Sequence, residues 1–265
     1  MDAPYNDGAK NMARPMFVNS LAPLIDNQIA DRVLKRLREK FDASCALDTV
    51  DCATDGEIYV YGGVLRRAVF SDAHCGDLDL MVPNGDDRAF ETLNALRVPF
   101  RLNRSGHHRY RWNNLQIDVL QPREFYGGFE DVEAFLSFFD LKINALALHL
   151  RSQRIIDPFK VLVRENPKDP GINWRRWDKM PAFELVILAI RLLKIMHEIP
   201  SLRISLTDAD RLQEDVLPKI SEYDWANLYD RFPRGKQAFL QMFGETVLKH
   251  GGNRALKLKR YRGNS

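Results

Sequence analysis

A change of hydrophobic periodicity near residue 160 is the feature that most constrains the fold. Before it, short apolar segments alternate with turn residues, a pattern that predicts strands. The predicted strands are 58–61, 78–82, 100–103, 109–112, 115–120, 141–150 and 154–156. After it, apolar residues recur at helical spacing. The sequence therefore predicts an α+β chain, with a mixed, mostly antiparallel sheet plus helices followed by an all-helical part.

The same patterns divide the chain into four segments. We expect a flexible N-terminus over 1–20, the sheet-containing domain over 21–160, the helical domain over 161–250 and a basic tail over 251–265. Helices are predicted at 21–41, 64–70, 86–96, 182–197, 208–217, 222–232 and 236–249. The 265 residues, 45% of them hydrophobic, suffice for one sizeable core or two modest ones.

Composition and charge narrow the class of protein. The three cysteines show no spacing typical of disulfides or zinc sites, the first residues are too polar for a signal peptide, and apolar runs are too short to span a bilayer. We therefore expect a cytoplasmic protein with no membrane role. Residues 231–265 hold nine lysines or arginines against one acid, which suits a phosphate-rich partner or a solvated tail.

Two aspartates in the segment GDLDL are candidates for a metal site. Asp77 and Asp79 are two residues apart on a predicted strand, so both carboxylates lie on one face. Magnesium would relieve their repulsion, although a solvent-facing strand edge is the simpler interpretation of this pair alone. Asp118 lies between apolar neighbours in LQIDVLQ, and it is expected on the same sheet surface. Three such carboxylates can hold two metal ions.

A glycine pair precedes the acids in YGGVLRR. Gly62 and Gly63 are predicted to form a strand-to-helix turn whose backbone amides can approach a phosphate. Arg66 and Arg67 follow in the first turns of the helix. The turn, the arginines and the acids together are the groups that a magnesium-bound triphosphate requires.

These motifs resemble the DNA polymerase beta-like nucleotidyltransferases, in the branch of the bacterial poly(A) polymerases and class II CCA-adding enzymes. YGGVLRR and GDLDL are similar to the first motif of that branch. FFDLKINALALHL followed by RIIDPF is similar to a later segment, and LVILAIRLLKIMHEI to the first helix of the domain called the neck. The resemblance covers about residues 59–198. It is that of a divergent family member that is short at its C-terminus.

The resemblance implies a catalytic head over 21–160, a helical neck over 161–250, and transfer of a nucleoside monophosphate from a nucleoside triphosphate (NTP) to an RNA 3′-hydroxyl with release of pyrophosphate. The acceptor would be tRNA or another RNA 3′ end. The implied catalytic residues and ligands of two magnesium ions are Asp77, Asp79 and Asp118. The implied nucleotide-binding residues are Gly62, Gly63, Arg66, Arg67, Asp140, Asn144 and Arg191.

The sequence also departs from the family pattern. Phe138 and Phe139 stand where the family has two arginines, and Arg67 stands where it has an aspartate. The first neck helix keeps only Glu184 and Arg191 among its base-reading charges, so programmed addition of C and then A is not expected. Two other hypotheses stay open at this stage. The acceptor could be a protein side chain or a small molecule, or the chain could be a non-catalytic RNA-binding relative.

Aromatic and histidine residues outside these motifs have simpler interpretations. His107 and His108 lack further ligands at metal spacing, so a packing role is favoured. The cluster from Trp174 to Trp177 could contact RNA or a nucleotide, or it could anchor a helix.

Overall fold

The computed structural model describes residues 22–40, 44–71, 77–103, 106–125, 128–162, 171–199, 202 and 204–221. The predicted helices at 222–232 and 236–249, the flexible N-terminus and the basic tail lie outside these residues. Among the described helices, none is long and apolar enough to cross a membrane.

In the described residues, seven strands form one sheet. They are β1 (Tyr59–Tyr61), β2 (Asp77–Met81), β3 (Phe100–Leu102), β4 (His108–Trp112), β5 (Leu115–Leu120), β6 (Ala147–His149) and β7 (Arg154–Ile156). Their order across the sheet is β3-β4-β5-β2-β1-β6-β7. β2 runs parallel to β5, and the other described pairings are antiparallel. The predicted mixed, mostly antiparallel sheet is therefore confirmed.

Eight α-helices accompany the sheet in the described residues. They are α1 (Ala22–Lys40), α2 (Ser44–Thr54), α3 (Gly63–Phe70), α4 (Arg88–Ala95), α5 (Val132–Ser137), α6 (Trp174–Trp177), α7 (Ala182–Glu198) and α8 (Leu206–Arg211). Short 3₁₀ turns occupy Pro122–Glu124, Lys142–Asn144 and Leu217–Lys219. The helix predicted at 208–217 is confirmed over its first part by α8, which changes into a π-helical turn over Leu212–Val216.

The two faces of the sheet differ, and this difference positions the site. On one face, Leu80 and Ile117 belong to a core built with α1 to α4. On the other face, Met81 and Leu120 pack against α5 in a smaller, aromatic-rich cluster. Since side chains alternate along a strand, Asp79 and Asp77, two and four residues before Met81 on β2, lie on the same face as that cluster.

The helices after residue 171, which we call the neck, have an apolar core of their own. α7 contributes Leu185, Val186, Leu188 and Leu192, and all four side chains are buried. Leu141 and Ile143 from the sheet-containing part, which we call the head, join this core. The neck is therefore packed directly against the head.

The strand predicted at 141–150 is wrong over its first half. Only Ala147–His149 is a strand, whereas Lys142–Asn144 forms a 3₁₀ turn. Leu141 instead forms an isolated bridge with Ile172, and the Lys142 N–H donates to the Gly171 carbonyl. The chain leaves the sheet here because its apolar side chains are buried in the neck.

Candidate functional site

The three predicted carboxylates lie on one face of neighbouring strands. Asp77 and Asp79 are on β2, and Asp118 on β5 is the direct partner of Asp79 in the parallel pairing. Apolar neighbours of Asp118 are buried, so its side chain points away from the core, as expected. The structure thus brings together acids that are 39 residues apart in the chain.

The Asp79 carboxylate lies in buried, negatively charged surroundings. Burial, followed by the nearby carboxylates of Asp118 and Asp77, raises the pKa of Asp79 to about 7, although Arg109 and Arg67 oppose the shift. A carboxylate in such surroundings is stabilised by an added cation. The chemistry of this donor set, oxygen atoms crowded with negative charge, fits a divalent ion such as magnesium.

Two of the acids already have partners. Arg109 on β4 donates two hydrogen bonds to Asp118, at 2.7 and 2.6 Å, and Gln116 donates one to Asp77 at 2.9 Å. Within the described part of the chain, no three side chains of the metal-ligating types are placed to hold one ion. The assignment of Asp118 as a metal ligand therefore stays a prediction, and it requires Arg109 to move.

The sequence interpretation missed Arg109, which is aligned with Asp118 across the hairpin of β4 and β5. The two residues lie at equal distances from the Asn113–Asn114 turn. Counting outward from these two asparagines, which separate the predicted strands 109–112 and 115–120, pairs Arg109 with Asp118.

The glycine pair connects the acids to the arginines. Gly62 has a φ of 73°, a left-handed conformation that favours glycine, and a Cβ there would lie 3.2 Å from Asp79 Oδ2. The next residue, Gly63, begins α3, and a Cβ there would lie 3.8 Å from Arg66 Nη1 and 4.0 Å from Arg67 Nη1. The predicted strand-to-helix turn is present, with an acid beside Gly62 and two guanidinium groups beside Gly63.

The two arginines are held by a residue that the sequence interpretation did not identify. Glu198, the last residue of α7, forms ion pairs with Arg66 at 3.0 Å and Arg67 at 2.9 Å. Arg66 also donates to the Asn144 side-chain oxygen. Burial tends to raise the pKa of Glu198, but the hydrogen bonds and charges of Arg67 and Arg66 bring it below its usual range.

Asp140 and Arg191 form a second link between head and neck. Asp140 is buried, and its carboxylate accepts from Arg191 and from the Leu141 backbone N–H. The carbonyl of Asp140 accepts from the Trp177 indole at 3.0 Å. Arg191 is about half exposed, with 48% of its side chain accessible, so part of its guanidinium faces solvent.

The contacts of the tryptophans and of His107 are those of packing residues. Trp177 is buried in the neck core, and the Trp174 indole donates to Asp208 while Arg211 covers its ring. These tryptophans anchor the neck helices. His107 stacks on Phe125, which is the packing role favoured by the sequence.

The fold is that of known CCA-adding enzymes. A CCA-adding enzyme in complex with ATP superposes with a TM-score of 0.58 at 18% identity, covering 83% of this chain and 55% of that one. The Thermotoga maritima CCA-adding enzyme complexed with tRNA gives 0.56 at 17% identity, with the same coverage of 83% and 55%. A tRNA-processing enzyme in an apo form gives 0.56 at 17% identity, covering 77% and 56%.

These likenesses establish the nucleotidyltransferase head fold with accompanying helices. The chain spans about half the length of the solved structures that it matches. No protein-family model matches the sequence, and no curated protein does either.

Proposed function

We propose that this protein is a magnesium-dependent, template-independent nucleotidyltransferase that adds a nucleoside monophosphate from an NTP to the 3′-hydroxyl of an RNA. The observation that carries the proposal is the placement of Asp79 beside Gly62 and of Arg66 and Arg67 beside Gly63. The fold supports it, since solved structures with this fold are CCA-adding enzymes bound to ATP, CTP or tRNA.

In the proposed reaction, the acceptor oxygen forms a bond to the α-phosphorus of the NTP while the bond to the β-phosphate oxygen breaks. Pyrophosphate leaves, and the hydroxyl proton is released. Asp77 and Asp79, with Asp118 once Arg109 releases it, would hold the magnesium ions. When bound, such ions activate the attacking hydroxyl and stabilise the leaving pyrophosphate.

The remaining residues bind and orient the triphosphate. Any side chain at Gly62 would meet the Asp79 carboxylate, so glycine lets the backbone of the turn lie close to the acids. Arg66 and Arg67 would contact the phosphates while still paired with Glu198. This is feasible because each guanidinium group offers five N–H donors. Asn144 fixes the position of Arg66, and the Asp140–Arg191 pair keeps the neck beside the nucleotide.

The proposal is tested by supplying the purified protein with each α-labelled NTP, magnesium and total RNA. We expect label in RNA that lengthens from its 3′ end. Label in protein would favour the hypothesis of a protein acceptor, and intact binding of RNA without any labelled product would favour a non-catalytic relative. The Asp77→Asn variant is the matched control, because it removes one predicted magnesium ligand from an exposed position.

Selectivity among the four bases is expected to be modest. Leu185, Val186 and Leu188 on α7 are buried in the neck core, so they are not accessible to a base. Phe183, with 54% of its surface exposed, and Arg191 remain accessible on this helix. Apolar surfaces discriminate by only about 1 to 3 kcal/mol, or roughly 10- to 200-fold.

This prediction is checked by measuring kcat/KM for all four NTPs on one RNA acceptor. A Phe183→Ala variant should lower the four values by similar factors, because stacking is tolerant of base identity. A preference above about a thousandfold, or an ordered CCA product, would show that base-reading residues exist elsewhere in the chain.

A further inference from the structure

The acid-bearing face of the sheet continues into a set of arginines on its outer strands. Arg109 on β4 is the cross-strand partner of Asp118, and Arg101 on β3 is the partner of Arg109. Cross-strand partners lie on the same face of a sheet. Asp79, Asp118, Arg109 and Arg101 therefore form one row across four neighbouring strands.

A second row lies beside the first. Asp77 is aligned with Gln116, which is aligned with Arg111 on β4. A cavity of about 460 Å³ opens at this place. Its lining includes Asp77, Phe100, Arg101, Arg109, Arg111 and Gln116.

The arginines of this cavity differ in whether an acidic side chain neutralises them. Arg109 is neutralised by Asp118, whereas Arg101 and Arg111 are exposed and form no ion pair with any residue that the structure describes. Like charges on directly opposed residues, here Arg101 and Arg109, destabilise a sheet. An anion bound in the cavity would relieve this repulsion, and arginine is well suited to bind phosphate groups in pairs of hydrogen bonds.

We infer that this cavity, which we call the arginine cavity, binds the phosphate backbone of the RNA acceptor next to its 3′ end. The inference rests on the proposed function, which requires two polyanions to meet at the acids. One of them, the NTP, has Arg66 and Arg67 on the β1 side of β2. The arginine cavity lies on the opposite side, towards β4 and β3, so it is the approach left for the second reactant.

Binding through Arg101 and Arg111 predicts a defined salt dependence. Each phosphate contact to single-stranded nucleic acid contributes about −0.7 to the slope of log K against log salt concentration. A double variant Arg101→Gln with Arg111→Gln should therefore make the slope less steep by about 1.4. Affinity at low salt should fall roughly tenfold, because charge-assisted hydrogen bonds are lost.

The measurement is fluorescence anisotropy of a short labelled single-stranded RNA, in buffer with EDTA and without NTP, over about 50 to 200 mM salt. The control double variant is Arg154→Gln with Lys179→Gln, which removes the same charge from exposed positions on β7 and in the neck. We expect the control to bind RNA with the slope of the unmodified protein.

Steady-state kinetics separate this inference from the proposed function. The Arg101, Arg111 double variant should raise the KM for RNA roughly tenfold and leave the KM for NTP unchanged. An unchanged RNA affinity and slope overturns the inference even if the protein transfers nucleotides. A rise only in the KM for NTP also overturns it, because the cavity then binds the triphosphate. If the unmodified protein binds RNA through these arginines but transfers no nucleotide, the proposed function is contradicted and the inference about the cavity stands.

Discussion

Replacing Asp79 by asparagine is expected to abolish nucleotide transfer and, at pH 8, to make the protein harder to unfold. The loss of activity should reach at least about a hundredfold, because removing even an outer partner of a metal ligand typically costs about 10- to 100-fold. The side chain faces the acids rather than the main core, so the fold should persist.

The gain in stability follows from the raised pKa of Asp79, which is about 7 in the folded protein, whereas an unperturbed aspartate has a pKa of 3.8. Between these values the folded protein holds a proton that the unfolded chain has lost, so the free energy of unfolding falls as the pH rises. Asparagine carries no charge and escapes this loss. At about 1.4 kcal/mol per pKa unit, the variant should gain roughly 1 to 4 kcal/mol at pH 8, and little near pH 4.

Urea unfolding at pH 4 and pH 8 in the presence of EDTA, with initial transfer rates in magnesium, measures both effects. An Asp210→Asn variant, changed at an exposed position of α8, should leave both quantities close to those of the unmodified protein. Full transfer activity in Asp79→Asn would remove this residue from the reaction. Lower stability of that variant at pH 8 would contradict the electrostatic description of the site.

Replacing Glu198 by alanine is expected to lower the free energy of unfolding by about 3 to 5 kcal/mol. The carboxylate lies between Arg66 and Arg67, whose side chains are only 5% and 14% exposed. Removing one partner of a buried ion pair leaves an uncompensated charge, and this costs about that much. The expected effect is large because two guanidinium groups lose the same partner.

The measurement is equilibrium unfolding in urea, with Glu214→Ala as the control. Glu214 is exposed in the π-helical turn of the neck, where a substitution should change stability by less than about 0.5 kcal/mol. Combining Arg67→Ala with Glu198→Ala should cost less than the sum of the two single changes, because the residues interact directly. Purely additive effects, or a loss under about 1 kcal/mol from Glu198→Ala, would show that this ion pair does not join head and neck in solution.

Local patterns sufficed for much of the sheet. The alternation of apolar and polar residues around Asp118 predicts its face, and the structure confirms it. The predicted mostly antiparallel arrangement includes the pairing of β4 with β5. α2 was missed because threonine, cysteine and aspartate are weak helix formers, and its helical state depends on burying Leu47 and Val50. Here tertiary packing decided the local structure.

The candidate site was predictable only in part, for a similar reason. The glycine pair, the two arginines and the first two carboxylates belong to short motifs that lie close together in the sequence. Glu198 is 131 residues from Arg67, and its role depends on how α7 packs against α3. Likewise, Leu185 and Leu188 could be assigned to the neck core only after the orientation of α7 was known. Sequence patterns gave the residues of the acid face, whereas the partners across the head and neck required the structure.

The most direct test of the central claim is to follow one RNA acceptor and pyrophosphate together. Purified protein is incubated with magnesium, labelled NTP and an RNA that carries either a 3′-hydroxyl or a 3′-hydrogen. We expect the hydroxyl-ended RNA to lengthen at its 3′ end, one pyrophosphate to be released for each nucleotide added, and neither to occur with the 3′-deoxy RNA. Label appearing in protein or in a small molecule, or RNA labelling that persists with the 3′-deoxy acceptor, would contradict the proposed reaction.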